Sequence, residues 1–428
     1  GETPHQMARA VERFAQQGWL NVVGGCCGTT SEHIRALVET VSGYSPRTPK
    51  AITATFVSGI DNLEIGESNR PVLVGERANV IGSRQFRRLI HEAQYEEAAE
   101  VARRQERSGA QILDICVSDP DRDECQDMEA LLSHVIRQVR APLMIDSTDS
   151  RVIERALTFC QGKAIINSVN LEAGERRIDE VVPLVRRYGA ALVVGLIDEG
   201  GMAVSRQRKL EIALRAYEVL VVKYGMRPTD IIMDPLVFPC ATGDKEYVGS
   251  VRETIEGLRL IKKALPTCKT LLGISNVSFG LPPGAREVLN SVFLYECTEA
   301  GLDLAIVNTE RLRRYASLSA RERDLALKVL FCPDDETIGT FAAHYRDVRS
   351  TAPPTPQLSL DERLTRHVVE GSKNGLVDDL ALKLEEASPL EIVNGPLMEG
   401  MNEVGLLFNR NELIVTEVLQ SAEVMKAA

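Results

Sequence analysis

Val72-Leu-Val-Gly-Glu76 is a short aliphatic run that closes on a carboxylate, and runs of the same make recur along the chain as far as residue 308. The recurrences lie at 112–116, 143–147, 164–168, 191–197, 231–235, 270–275 and 302–308. Longer stretches with apolar residues at helical spacing stand between them, as at 95–107, 178–188, 206–224 and 254–265. Strand-length β-branched runs alternating with helix-length amphipathic ones predict βα units around a parallel sheet. Several predicted helices stop at a glycine just ahead of the next strand (Gly109, Gly189, Gly225, Gly301), which suits a left-handed C-cap. Eight such units between 72 and 345 match a closed (β/α)8 barrel and exceed what a doubly wound sheet normally uses. The predicted fold class is α/β, a TIM barrel.

On the N-terminal side, residues 1–43 read as a helix, a strand at 21–25 and a second helix from Glu32. That is too little to fold alone, so it reads as the last βα unit of a longer barrel, with 44–71 as a linker. On the C-terminal side, Thr351-Ala-Pro-Pro-Thr-Pro356 is too rich in proline for helix and predicts an extended linker over 346–359. From 360 to 428, Leu, Ile, Val and Met recur at helical spacing, with breaks near Gly371, at Ser388-Pro389 and at 409–411. These residues predict a small four-helix bundle.

The chain has 428 residues, enough for two or three domains, and carries 50 Lys and Arg against 61 Asp and Glu. A formal charge of -11 repels polyanions and argues against nucleic acid as a partner. No apolar run approaches the roughly 20 residues that span a bilayer, and the first residues lack a signal pattern, so the chain reads as cytoplasmic with no membrane partner. The nine cysteines are scattered without CxxC spacing, which suits reduced, mostly buried thiols.

Active sites of such barrels sit where the strands end. The residues at those ends are Glu76 and Asn79, Asp114, Asp146, Asn167, Asp198, Asp234, Asn276 and Asn308, carboxylates and amides with no His and no Lys. Any one of them serves equally well as a helix cap or turn residue. As a set they point to a ligand, because carboxylates crowded at one mouth need donors when desolvated. A pterin supplies them through its 2-amino and ring N–H groups, while amides serve its carbonyl and ring nitrogens. A catalytic metal in this barrel is disfavoured by the lack of ligand spacing, and a phosphate by the lack of a glycine-rich cradle after the last two strands.

The motifs Gly75-Glu-Arg-Ala-Asn-Val80, Met144-Ile-Asp-Ser-Thr148, Ile166-Asn-Ser168, Met233-Asp-Pro235 and Gly273-Ile-Ser-Asn-Val-Ser-Phe279 resemble the pterin-binding barrels of corrinoid-linked methyltransferases. Two flanking segments narrow the resemblance to the cobalamin-dependent methionine synthases. Gly24-Gly-Cys-Cys-Gly-Thr-Thr30 is similar to the end of their homocysteine barrel, and Met401-Asn-Glu-Val-Gly-Leu-Leu-Phe408 through 418–425 looks like their cobalamin cap. One departure stands out: the family usually carries Asn after Asp114, whereas this chain has Ile115-Cys116.

The resemblance implies 5-methyltetrahydrofolate as methyl donor, cob(I)alamin as acceptor and homocysteine as final acceptor. It implies that Asp146, Asn167 and Asp234 hold the pterin, that Glu76, Asn79, Asp114 and Asn276 complete the site around N5, and that Asn276 is the catalytic group. It further implies that Phe408, Val415 and Val418 wall the methyl face of cobalamin. Cys26 and Cys27 would bind zinc in a full-length enzyme, with a third cysteine from an earlier strand. The folate, the cobalamin domain and the homocysteine domain of the same polypeptide are the implied partners. No Asp-x-His-x-x-Gly cobalamin motif occurs in the sequence. The alternatives are a stand-alone methyltetrahydrofolate to corrinoid protein methyltransferase, a non-catalytic folate-binding and corrinoid-docking module, and dihydropteroate synthase. The last uses a Lys on the seventh strand, where this chain reads Leu272-Gly-Ile-Ser-Asn276.

Overall fold

A computed structural model describes residues 2–50, 52–242, 245–346 and 358–428. The chain divides into two compact units, Gly1–Thr53 and Ala54–Ala428.

The first unit is a helical pair, α1 (Pro4–Gln16) and α2 (Ser31–Val41). Thr3 and Gln6 cap α1 reciprocally, and Tyr44 donates its hydroxyl to Glu12 at 2.9 Å. The strand expected at 21–25 does not form. An extended segment becomes a strand only when neighbours take up its N–H and C=O groups, and the described part of this unit holds no other strand.

The second unit opens with a hairpin, β1 (Thr55–Ser58) and β2 (Asn62–Ile65). Eight parallel strands follow: β3 (Val72–Asn79), β4 (Ile112–Cys116), β5 (Leu143–Asp146), β6 (Ile165–Leu171), β7 (Ala191–Asp198), β9 (Ile231–Asp234), β10 (Lys269–Gly273) and β11 (Leu304–Val307). A two-residue antiparallel ear, β8 (Gly201–Met202), hangs on β7. Pairing of β11 with β3 and of β6 with β7 closes the sheet, so the expected TIM barrel is the fold. The helices that cover it are α3 (Arg84–His91), α4 (Tyr95–Arg107), α5 (Glu124–Val135), α6 (Ser150–Leu157), α7 (Arg176–Tyr188), α8 (Arg206–Tyr217), α9 (Ser250–Ala264), α10 (Pro283–Glu299), α11 (Ala320–Phe331) and α12 (Asp335–Arg346). Gly189 ends α7 in the left-handed region at φ 67°, as its position before a strand predicts.

Alternation along the strands sorts the core. Val74, Ile112, Met144, Ile165, Val193, Ile232, Leu271 and Leu304 point inward and fill the barrel, while their neighbours pack under the helices. The hairpin belongs to this interior: Val57 and Ile65 are fully buried against the same inward layer. The stretch 44–71 therefore differs from the plain linker expected of it, because its second half plugs the foot of the barrel. The proline-rich linker expected at 346–359 falls mostly outside the described residues.

The C-terminal segment forms α13 (Leu360–Glu370), α14 (Leu376–Lys383), α15 (Pro389–Ile392), α16 (Met398–Asn409) and α17 (Val415–Ala427), with a π-helical turn at Val393–Leu397 joining α15 to α16. Gly371 at φ 64° and Ser388-Pro389 mark its breaks. The bundle docks on the barrel's foot and flank. Thr416 donates to the Asn69 and Pro71 carbonyls, just ahead of β3, and Arg314 donates to the carbonyls of Val369 and Glu417 and to the Ser421 hydroxyl at 2.7–3.0 Å. Tyr295 of α10 donates to the Asn411 carbonyl.

Candidate active site at the barrel mouth

Two residues beyond each filling side chain, the strands present a second inward layer: Glu76, Asp114, Asp146, Asn167, Gly195, Asp234, Gly273 and Ile306. Parallel register aligns it, with Asp146 opposite Asn167 and Asp234 opposite Gly195. Above this layer opens a cleft of about 1250 Å³ lined by Glu76, Asn79, Asp114, Asp146, Asn167, Asp234, Asn276 and Asn308, among others. All seven residues expected to hold folate thus meet in one place.

A bulge in β3 is part of how they meet. Gly75 pairs with Leu113 and Ala78 with Ile115, so β3 carries one extra residue there. The phase shift sends Ala78 and Val80 under the helices and turns Asn79 toward the cleft. Gln105 supports the bulge by accepting from the Arg77 N–H at 2.6 Å.

Asp198 does not join the ring. It stands three residues past the inward Gly195, so alternation turns it outward, where its buried carboxylate pairs with Arg208 and accepts from the Gly200 N–H at 2.9 Å.

Within the cleft, Asn167 donates to Asp114 at 3.3 Å, Ser275 to Glu76 at 2.9 Å, and the Leu236 N–H to Asp234 at 2.9 Å. Asn79 accepts from the N–H groups of Ile81 and Gly82, and its amide nitrogen faces the Asp114 carboxyl. Burial pushes Asp146 up to about 6. Burial does the same to Asp234, up to about 6, against the opposing pull of the Leu236 N–H and Lys209. Asp114 is driven far above the usual carboxylate range by burial and then by the charge of Asp146, and Glu76 is raised by burial despite the Ser275 hydroxyl.

The other buried acids of the barrel are treated differently. At the foot, Asp303 binds Arg70 and Lys262 at 3.2 and 2.7 Å, and Asp230 pairs with Lys163 and Arg227. Among the described residues, none of Asp114, Asp146 and Asp234 has a cation within ion-pairing distance. Asp146 and Asp234 are therefore desolvated carboxylates without a paired cation, a surface that takes up N–H donors.

Sequence reasoning missed Lys209. Its fully buried ammonium donates to the carbonyls of Ala203 and Pro235 and lies 5.0 Å from the Phe238 ring centre, fixing the loop that follows Asp234. Burial lowers it to about 7. Nothing in Arg206-Gln-Arg-Lys209 separates it from its exposed neighbours; only the fold shows which of the four turns inward.

The expected cobalamin residues lie outside the cleft. No residue of 360–428 lines the cleft. Phe408 is 41% exposed, and Val415 and Val418 are half-buried. Leu406, Phe408 and Leu419 are among the exposed large apolar side chains of this segment. Cys26 and Cys27 are exposed thiols, and no described group of three or more His, Cys, Asp or Glu is placed to hold a metal. Two thiols alone do not fit a zinc site of three protein ligands and substrate.

Three family models match the chain: pterin binding enzyme over residues 75–308, B12 binding domain over 360–428 and homocysteine S-methyltransferase over 1–41. The methionine synthase of Mycobacterium tuberculosis is 37% identical over 438 residues, covering 99% of this chain and 37% of that protein. The methionine synthase of Mycobacterium leprae is 36% identical over 443 residues with the same coverage. The chain thus spans little more than a third of the length of these relatives. A dihydropteroate synthase structure from Xanthomonas albilineans overlays with a TM-score of 0.43 at 16% identity, covering 69% of this chain and 99% of that one. Among the described residues, no helix is long and apolar enough to cross a membrane.

Proposed function

As the chain belongs to the family of pterin binding enzymes, we propose that its barrel binds 5-methyltetrahydrofolate and passes the N5 methyl group to cobalamin, on the way to homocysteine, as a cytoplasmic methyltransferase. On this reading 72–345 is the folate barrel, 360–428 the cobalamin cap and 1–43 the end of a homocysteine barrel. The partners are then the cobalamin and homocysteine domains of the same polypeptide.

The contrast between the two ends of the barrel supports it best. Buried acids at the foot are neutralised by cations, whereas Asp114, Asp146 and Asp234 in the cleft have none within ion-pairing distance among the described residues. An acid that served only the fold would gain from the same pairing, so the missing counter-charge belongs to a ligand. Asp146 and Asp234 take the ring N–H groups, and Asn167 and Asn79 serve the acceptors.

A tertiary amine leaves its methyl group only once its nitrogen bears a proton, so the protein must favour protonated N5. Asn276 does this with the Ser275–Glu76 hydrogen bond beside it. Cobalamin, when bound against the apolar cap, supplies the nucleophile. Cys26 and Cys27 supply two of the three thiols that a zinc site needs, so zinc would be held there only with a third cysteine from an earlier strand of a full-length enzyme.

Titration calorimetry with 5-methyltetrahydrofolate should show one-to-one binding that weakens when Asp146 or Asp234 becomes Ala. Added cob(I)alamin should then become methylated. Binding without any methylated corrinoid would leave a folate-binding module, and no binding at all would end the proposal.

A further inference from the structure

The loop after β9 turns sharply just past Asp234. Leu236 sits in the left-handed region at φ 67°, a conformation that a bulky side chain rarely adopts, and its N–H donates to the Asp234 carboxylate at 2.9 Å. The next residues, Val237, Phe238 and Pro239, line the cleft. So does Met202, on the β8 ear that follows β7. A strained turn persists only where its surroundings hold it, so the orientation of Asp234 depends on what holds Leu236.

Lys209 of α8 joins these two loops. Its ammonium donates to the carbonyl of Ala203, next to Met202, at 2.7 Å, and to the carbonyl of Pro235, between Asp234 and Leu236. It also lies over the Phe238 ring, 5.0 Å from the centre, and that ring stacks on Tyr247 with centres 4.7 Å apart. The lysine is fully buried, and Gly257 of α9 admits its stem, since a methyl there would lie 2.8 Å from Cδ. Asp234 and Glu253 are the acids whose charge reaches it, yet among the described residues neither pairs with it directly, and Glu253 is taken up by Arg206. A desolvated cation gains most from an acid in contact, so one committed to two carbonyls and a ring serves to hold backbone.

Resting on the reading of the cleft as a folate site, we propose that Lys209 is a positioning residue for that site: by tying the loop after β7 to the loop after β9, it fixes the Leu236 turn and so aims the Asp234 carboxylate at the ring N–H groups of the substrate. The rest of the loop has anchors of its own. Thr254 donates to the Leu236 carbonyl at 3.1 Å, and the Cys240 N–H donates to the Val277 carbonyl at 3.1 Å. Loss of the ammonium therefore loosens the turn beside Asp234 and leaves the loop in place.

The test is a double-mutant cycle on the whole chain, read by calorimetry with 5-methyltetrahydrofolate. Lys209→Met removes the ammonium and keeps the stem, and it is made in the parent and in Asp234→Ala. Folate should bind roughly tenfold more weakly to Lys209→Met than to the parent. In the Asp234→Ala background the same substitution should change affinity by less than about twofold, because no carboxylate is left to aim. Gly257→Ala suits a helix and keeps the charge but sets a methyl against the lysine stem. It too should weaken folate only where Asp234 is present, and it carries the test if Lys209→Met does not fold. A lysine that served the fold alone would lower the melting temperature in both backgrounds and leave folate affinity untouched. Unchanged affinity in the folded variants, or a loss of the same size with and without Asp234, would overturn the positioning role and leave the folate reading intact. Failure of the parent to bind would instead overturn the folate reading.

Discussion

A methyl group placed on Gly273 would lie 2.9 Å from the side-chain nitrogen of Asn276. The absence of a side chain at the end of β10 is thus what lets the Asn276 amide fold back over the strand into the cleft. Gly273→Ala should therefore act like Asn276→Ala. Single-turnover transfer to cob(I)alamin should slow by about a hundredfold in each, the usual scale for losing one aligned transition-state hydrogen bond, while folate affinity changes little. Equal rates in variants and parent would remove Asn276 from the chemistry.

Asp146→Asn and Asp234→Asn should separate binding from stability. Each removes a desolvated charge that has no cation within ion-pairing distance, so thermal unfolding should shift upward or not at all. Each also replaces a charge-assisted acceptor, so folate should bind roughly ten- to a hundredfold more weakly by calorimetry. A variant that melts lower and binds normally would make these acids structural.

The same two groups set opposite pH dependences. Burial raises both from 3.8 to about 6, so between those values the folded chain holds more protons than the unfolded one. Their contribution to stability is fully present below the unfolded value and is lost as pH rises through about 6. From about pH 7 to about pH 5 the ligand-free melting temperature should thus rise relative to the Asp146→Asn/Asp234→Asn variant. Folate affinity should fall over the same interval, because a protonated carboxyl accepts ring N–H groups poorly. Parallel pH profiles for parent and variant would contradict these assignments.

The alternation of aliphatic runs with amphipathic stretches made the barrel legible, since each unit must bury one face of a strand and one stripe of a helix. The polar strand ends were legible for the same reason. What alternation does not reveal is phase. Asp198 looks like its neighbours in sequence, yet Gly195 is the inward residue of β7 and Asp198 falls outside. Asn79 turns inward only because of a bulge that its motif does not announce. Lys209 and the plugging hairpin were hidden because burial there depends on residues far off in sequence, such as Gly257, whose missing side chain makes room for the lysine stem. The bundle's breaks could be read from Gly371 and Ser388-Pro389, but not its docking, which hangs on Arg314, a residue without a helical pattern to place it.

Arg314 is the clearest test of that docking. Its guanidinium satisfies the Val369 and Glu417 carbonyls and the Ser421 hydroxyl together. Glu417 itself is buried, which raises it to about 7, and the nearby arginine opposes that shift. Arg314→Ala leaves buried acceptors without a donor and takes the nearest cation from Glu417, at a cost of about 1–3 kcal/mol for each acceptor that water cannot reach. Residues 360–428 should become sensitive to limited proteolysis while the barrel keeps its folate affinity, since no residue of that segment lines the cleft. If proteolysis leaves this segment as protected as in the parent, the contacts through Thr416 and Tyr295 are sufficient to hold it and Arg314 is dispensable.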